Sequence, residues 1–99
     1  MNAVVEEART IIHVEGVFDV PTAKQLAQEL DEMRYAEVRI DLTRVREFHD
    51  FGVALLAHSI AGRAAPTAVI GLHEHHLRLL RYLGIDTGVA NLSAGIELV

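Results

Sequence analysis

The chain has 99 residues, 51% of them hydrophobic, with 9 basic and 14 acidic side chains for a net charge of −5 and no cysteine. That is material for one buried core, so a single domain over residues 1–99 is expected, without disulfides or thiolate chemistry. The acidic balance and the dispersed arginines argue against nucleic-acid or anionic-membrane partners, and no apolar run approaches the roughly 20 residues of a membrane span.

The opening segment, MNAVVEEART, lacks a basic-then-apolar leader, so a soluble cytoplasmic protein is expected. Val4 and Val5 predict a short first strand, and the β-branched run from Thr10 to Val17 predicts a second, joined by a turn at Glu6 to Arg9. Antiparallel pairing is the natural connection at that spacing. Pro21 then stands where a helix can start without losing a needed N–H. Ala23, Leu26, Ala27, Leu30 and Met33 follow at helical spacing, with charged and amide side chains on the other face. Val38, Ile40 and Leu42 alternate with Glu37, Arg39 and Asp41, a period of two that predicts a half-buried strand.

After Asp41 a polar connector is expected, leading to the tight turn Phe48-His49-Asp50-Phe51-Gly52. A helix from about Gly52 to Arg63 buries Val53, Leu56, Ala57 and Ile60. Pro66 bounds a strand from Thr67 to Leu72, and Leu77, Leu80 and Leu83 mark a helix ended by Gly84 and Ile85. Val89 to Leu92 predicts a last strand, with Ser93 capping a final turn. The order predicts an α/β fold: a mixed sheet of about five strands, an N-terminal hairpin, parallel crossovers, and helices mainly on one face.

The order and the turn resemble the STAS domain of bacterial anti-sigma-factor antagonists. Three further features agree: Gly16-Val17-Phe18-Asp19 before the first helix, Asp41-Leu42-Thr43 on the central strand, and the leucine-rich helix from Leu80 to Gly84. The resemblance implies a non-enzymatic, protein-binding module in partner switching for transcription control, its partner an anti-sigma factor that is a serine kinase. In that family the turn reads Asp, then Ser or Thr, then a small residue and Gly, and the hydroxyl accepts phosphate. Here His49 replaces the Asp and Asp50 replaces the hydroxyl, so a serine kinase has no acceptor at the usual place.

Parallel crossovers put the loops after the second, third and fourth strands on one edge. The expected partner-binding residues there are Asp19, His49, Asp50, Phe51, Gly52, His73 and His75. Asp50 has two compatible readings: a permanent negative charge in place of phosphate, or a cap on the following helix. Phe51 is either core or an exposed apolar anchor. His73 and His76, three apart on a helix, suggest a metal site completed by His49 or Asp19, but no His-Glu-x-x-His is present. Surface histidines beside a favourably placed Glu74 are therefore expected, with no metal and no cofactor. There is no nucleophile elbow or Walker-type loop, and no catalytic residue is expected. Two alternatives stand beside the leading reading: a non-catalytic subunit of a larger assembly, such as a lipid-transport ATPase or a stress-sensing complex, and a metal-dependent activity at the histidine-rich edge.

Overall fold

The computed structural model describes residues 1–6 and 9–82. Strands β1 (Asn2–Glu6) and β2 (Arg9–Phe18) form the expected antiparallel hairpin, in which Val4 faces Ile11 and Glu6 faces Arg9. Helix α1 (Val20–Glu32) carries the chain across to β3 (Val38–Phe48), which pairs parallel with β2. Helix α2 (Asp50–Ala61) makes the next crossover, to β4 (Thr67–Ile70), and α3 (Glu74–Tyr82) follows. The described sheet has four strands in the order β1-β2-β3-β4. Against about five expected, the difference is the strand at 89–92. It lies outside the described residues, as do the helix stop at Gly84 and the turn from Ser93.

Alternation along the strands decides which face is covered. Ile12 pairs with Ile40 and Ile40 with Val69, an apolar row across β2, β3 and β4 in which all three residues are buried. Ala23, Leu26 and Leu30 of α1 join that core, with Val53, Leu56, Ala57 and Ile60 of α2 and Leu80 of α3. Removing this apolar surface from water is the main term holding the layers together. On the sheet's other face His13 pairs its Nδ1 with Asp41 Oδ2 at 3.0 Å, and Thr43 donates its backbone N–H and its hydroxyl to Asp41 Oδ1 at 2.9 and 2.6 Å.

The segment after Asp41 departs from expectation. Instead of a connector, residues 42–48 continue β3, pairing Glu15 with Arg44, Gly16 with Val45, Val17 with Glu47 and Phe18 with Phe48. Register shifts between His13 and Glu15 and between Gly16 and Val17 absorb the mismatch, with Gly16 at φ 82°. β4 pairs β3 only up to Asp41, so Thr43, Arg44, Arg46 and Glu47 stay exposed and the strand shows no apolar period there. Beyond β4, Gly71 (φ 99°) takes the chain so close to β3 that a Cβ would lie 2.6 Å from the Leu42 carbonyl carbon and the Thr43 nitrogen.

Far from the turn, Arg63 ties three elements together. Its guanidinium donates to the carbonyls of Leu30 (2.7 Å), Met33 (3.2 Å) and Ala36 (2.6 Å) and to the Thr67 hydroxyl (2.7 Å). It thereby adds a second donor to the Leu30 and Met33 carbonyls, which already accept the Met33 and Ala36 N–H groups, and anchors the end of α1 beside β4. Burial pushes its pKa down from the usual arginine value. No helix among the described residues is long and apolar enough to cross a membrane.

Candidate functional site

The carboxyl ends of β2 and β3 are joined side by side. Phe18 faces Phe48 in the register, and the His49 N–H donates to the Phe18 carbonyl at 2.9 Å. From this junction α1 and α2 both start. Asp19 is the N-cap of α1, its Oδ1 accepting the Thr22 N–H at 3.0 Å. Thr22's hydrogen bonds are the main reason Asp19 sits below the usual carboxylate range, and His49 adds to the effect. The residue expected to meet a partner is therefore first of all a helix cap.

Of the two compatible readings of Asp50, the helix cap is not realised. The helix starts one residue earlier than that reading requires: His49 holds the extended N-cap conformation, without a side-chain capping bond, and Asp50 is already the first helical residue. Its exposed carboxylate lies in the first turn, where the helix dipole favours an anion. His49 instead reaches back along the strand to Glu47, Nε2 to Oε2 at 3.4 Å. Phe51 resolves to the exposed alternative, with 83% of its surface open. Gly52 is buried and lies on the backbone of Asp19. The turn thus pushes an acid and an aromatic ring outward while its glycine clamps the two helix starts together.

The loop after β4 joins the same edge through Phe48. The Phe48 ring lies edge-on to Phe18 (centroids 6.2 Å apart) and to His73 (5.2 Å), and 4.6 Å from the His76 ring. His73 and His75 are exposed as expected, but His76 is only 1% exposed, which overturns its reading as a surface residue. Its Nδ1 accepts the His73 N–H at 3.0 Å, the third residue of α3 reaching back to the residue before the helix. That is the reciprocal half of a capping box, with imidazole in the place of Glu or Gln. Burial, reinforced by His75 and His73 and opposed by Asp50, pushes the His76 pKa down to about 4, so the ring is neutral at pH 7. The signal for its burial was available in the sequence, since His76 lies four residues before Leu80 on the inward stripe of α3.

Among the described residues, the group of side chains able to share an ion is His73, His75 and His76, with ligand atoms within 4.8 Å of one another. Asp19 and His49, named in the sequence as residues that could complete such a site, are not in it. Glu47, Asp50 and Glu74 of the same three segments are exposed acids, and Arg81 stands 3.9 Å from Glu74.

A family model described as "Mlab, STAS domain" matches residues 1–96. No curated protein matches the chain. Among solved structures, that of the anti-sigma factor antagonist SpoIIAA in its unphosphorylated form is similar at a TM-score of 0.64 and 12% identity, over 97% of this chain and 88% of that one. The NMR structure of the protein TM1081 is similar at 0.65 and 9% identity, over 94% and 79%. A crystal structure of Mglu is similar at 0.60 and 23% identity over 69% of this chain, which spans only 18% of that protein's length. At these identities the structural likenesses establish the fold.

Proposed function

The chain belongs to the STAS domain family, and on that premise we propose that it is a non-catalytic, protein-binding module of the anti-sigma-factor-antagonist type. It docks the edge formed by Asp19, His49–Gly52, His73 and His75 against a protein partner, an anti-sigma factor with serine-kinase activity, in cytoplasmic transcription control. The observation that carries this reading is Phe51: a large apolar ring, 83% exposed, held in the first turn of α2 directly after the exposed Asp50. An aromatic side chain this exposed beside a charged one is what an interface anchor looks like in the unbound chain. The acids call for a partner surface that is basic around an apolar recess.

Asp50 sets how such binding is regulated. A carboxylate gives a serine kinase no hydroxyl to phosphorylate, and its charge is permanent. The turn therefore works as a standing acid in the place where the family's switch adds a phosphate. The test compares wild type, Asp50→Ser and Asp50→Ala against the partner kinase with and without ATP. Asp50→Ser is expected to bind more tightly than wild type until ATP is added, and Asp50→Ala to bind more tightly regardless of ATP. Weaker binding by Asp50→Ser would mean that the partner reads the acid itself and that the phosphate-mimic role is wrong.

The missing hydroxyl favours a second reading, a non-catalytic subunit held permanently in a larger assembly such as a lipid-transport ATPase. Co-purification with an ATPase subunit, unaffected by Asp50→Ser and ATP, would select it over the kinase.

A further inference from the structure

We infer that His73, His75 and His76 form a binding site for one divalent transition-metal ion of the kind imidazole favours, zinc or nickel. The site does not depend on the docking role proposed above.

The geometry is the argument. Metal–nitrogen distances near 2 Å, with each ring centre about 1 Å further out, place the centroids of three imidazoles on a tetrahedral ion roughly 5 Å apart. The centroids of His73 and His75 are 5.8 Å apart, and those of His73 and His76 5.2 Å. His75 and His76 are closer, at 3.9 Å, and must open by about 1 Å on the same scale. The exposed His75 side chain is free to make that adjustment. His73 just before α3, with His75 and His76 in its first turn, supplies three nitrogens from four consecutive residues. Three ligands leave a coordination position open to water or to a group from another molecule.

His76 makes the site conditional. While its Nδ1 accepts the His73 N–H, the ring proton is on Nε2, and that nitrogen cannot bind an ion. For Nε2 to coordinate, the proton passes through solvent to Nδ1. The imidazole stays neutral, and the bond from the His73 N–H is given up. Metal binding therefore exchanges an internal cap for a metal–nitrogen bond, and in the metal-free chain that cap ties His76 to His73.

The test is isothermal titration of the untagged full chain with zinc, nickel and magnesium chlorides, alongside thermal melting. Wild type is expected to take up one zinc or nickel ion saturably at micromolar concentrations and to ignore magnesium. His76→Gln keeps an acceptor for the His73 N–H, so it is expected to melt close to wild type while losing at least tenfold in zinc affinity. His75→Ala, which touches no cap, is expected to lose as much, and His58→Ala on α2 to lose nothing. Absence of saturable zinc and nickel uptake by wild type would overturn the proposal. So would wild-type affinity in either His75→Ala or His76→Gln.

Discussion

Gly52 rests on the backbone of Asp19: a Cβ at position 52 would lie 2.9 Å from both the carbonyl carbon and the carbonyl oxygen of the α1 cap. The obstructing atoms are main chain at a helix N-terminus and cannot swing aside like the tip of a side chain. The turn's glycine thus sets the distance between the two helix starts from which the proposed docking edge is built.

Gly52→Ala is therefore expected to cost about 1–3 kcal/mol, the range for overpacking a well-filled site. Gly62, at the end of α2, has ordinary αR angles, and a Cβ there meets nothing nearer than 3.9 Å. Gly62→Ala is accordingly expected to be neutral or to stabilise by about 0.4–1 kcal/mol, through lower entropy of the unfolded chain. Urea denaturation of both variants decides it: equal effects would mean that the Gly52–Asp19 contact does not constrain the turn.

Arg63 is expected to matter more than its half-exposed position suggests. Arg63→Ala strips donors from three main-chain carbonyls at and beyond the end of α1, and a loss of about 2–4 kcal/mol follows if charge-assisted bonds keep their usual worth. Arg63→Lys supplies a charge without the planar fork and should recover only part of it. Full recovery by lysine in urea titrations would show that charge, not geometry, is what counts.

Much of this fold is legible in the sequence because burial and period coincide. Leu26 and Leu30 on one helix stripe, and Val38, Ile40 and Leu42 on one strand face, are buried where the spacing puts them. The rest depends on partners distant in sequence. The second half of β3 has exposed side chains and is held as strand by backbone bonding to β2, which leaves no apolar signature. Arg63 reaches carbonyls some thirty residues away. At the docking edge the position of the turn was readable, but the division of labour within it was not. His49 and Asp50 differ in role by one residue of backbone conformation, and Phe51 is equally at home inside or out until α2 is placed.

The packing itself gives a direct check. Leu26 is fully buried on α1 and Leu56 is 1% exposed on α2, so truncation of either to Ala is expected to cost about 2–5 kcal/mol. Melting of both variants at the wild-type temperature would mean that the helices present other faces to the sheet.

Asp41 introduces a pH dependence. Burial opposes its ionised form, but the hydrogen bonds from Thr43 and the pairing with His13 outweigh it and hold the pKa below the usual carboxylate range. A lowered folded-state pKa gives stability that is present above the unfolded value, near 4, and is lost as pH falls through the folded one. Asp41→Asn is therefore expected to be less stable than wild type by about 1 kcal/mol at pH 5. The gap should close as pH drops toward 3. A gap that stays constant over that range, in denaturation midpoints read against pH, would mean that the carboxylate's charge contributes nothing.

The central claim, that the edge around the start of α2 is where this protein meets its partner, is tested most directly by one affinity comparison. The dissociation constant for the purified anti-sigma-type kinase is measured for wild type, for Phe51→Ala, and for Tyr35→Ala, whose exposed ring lies at the opposite end of the helices. Removing an interface anchor costs at least tenfold, about 1.4 kcal/mol, so Phe51→Ala is expected to bind at least that much more weakly while melting like wild type. Tyr35→Ala is expected to bind as wild type does. Undiminished binding by Phe51→Ala, or a loss confined to Tyr35→Ala, would contradict the assignment of this edge as the docking surface.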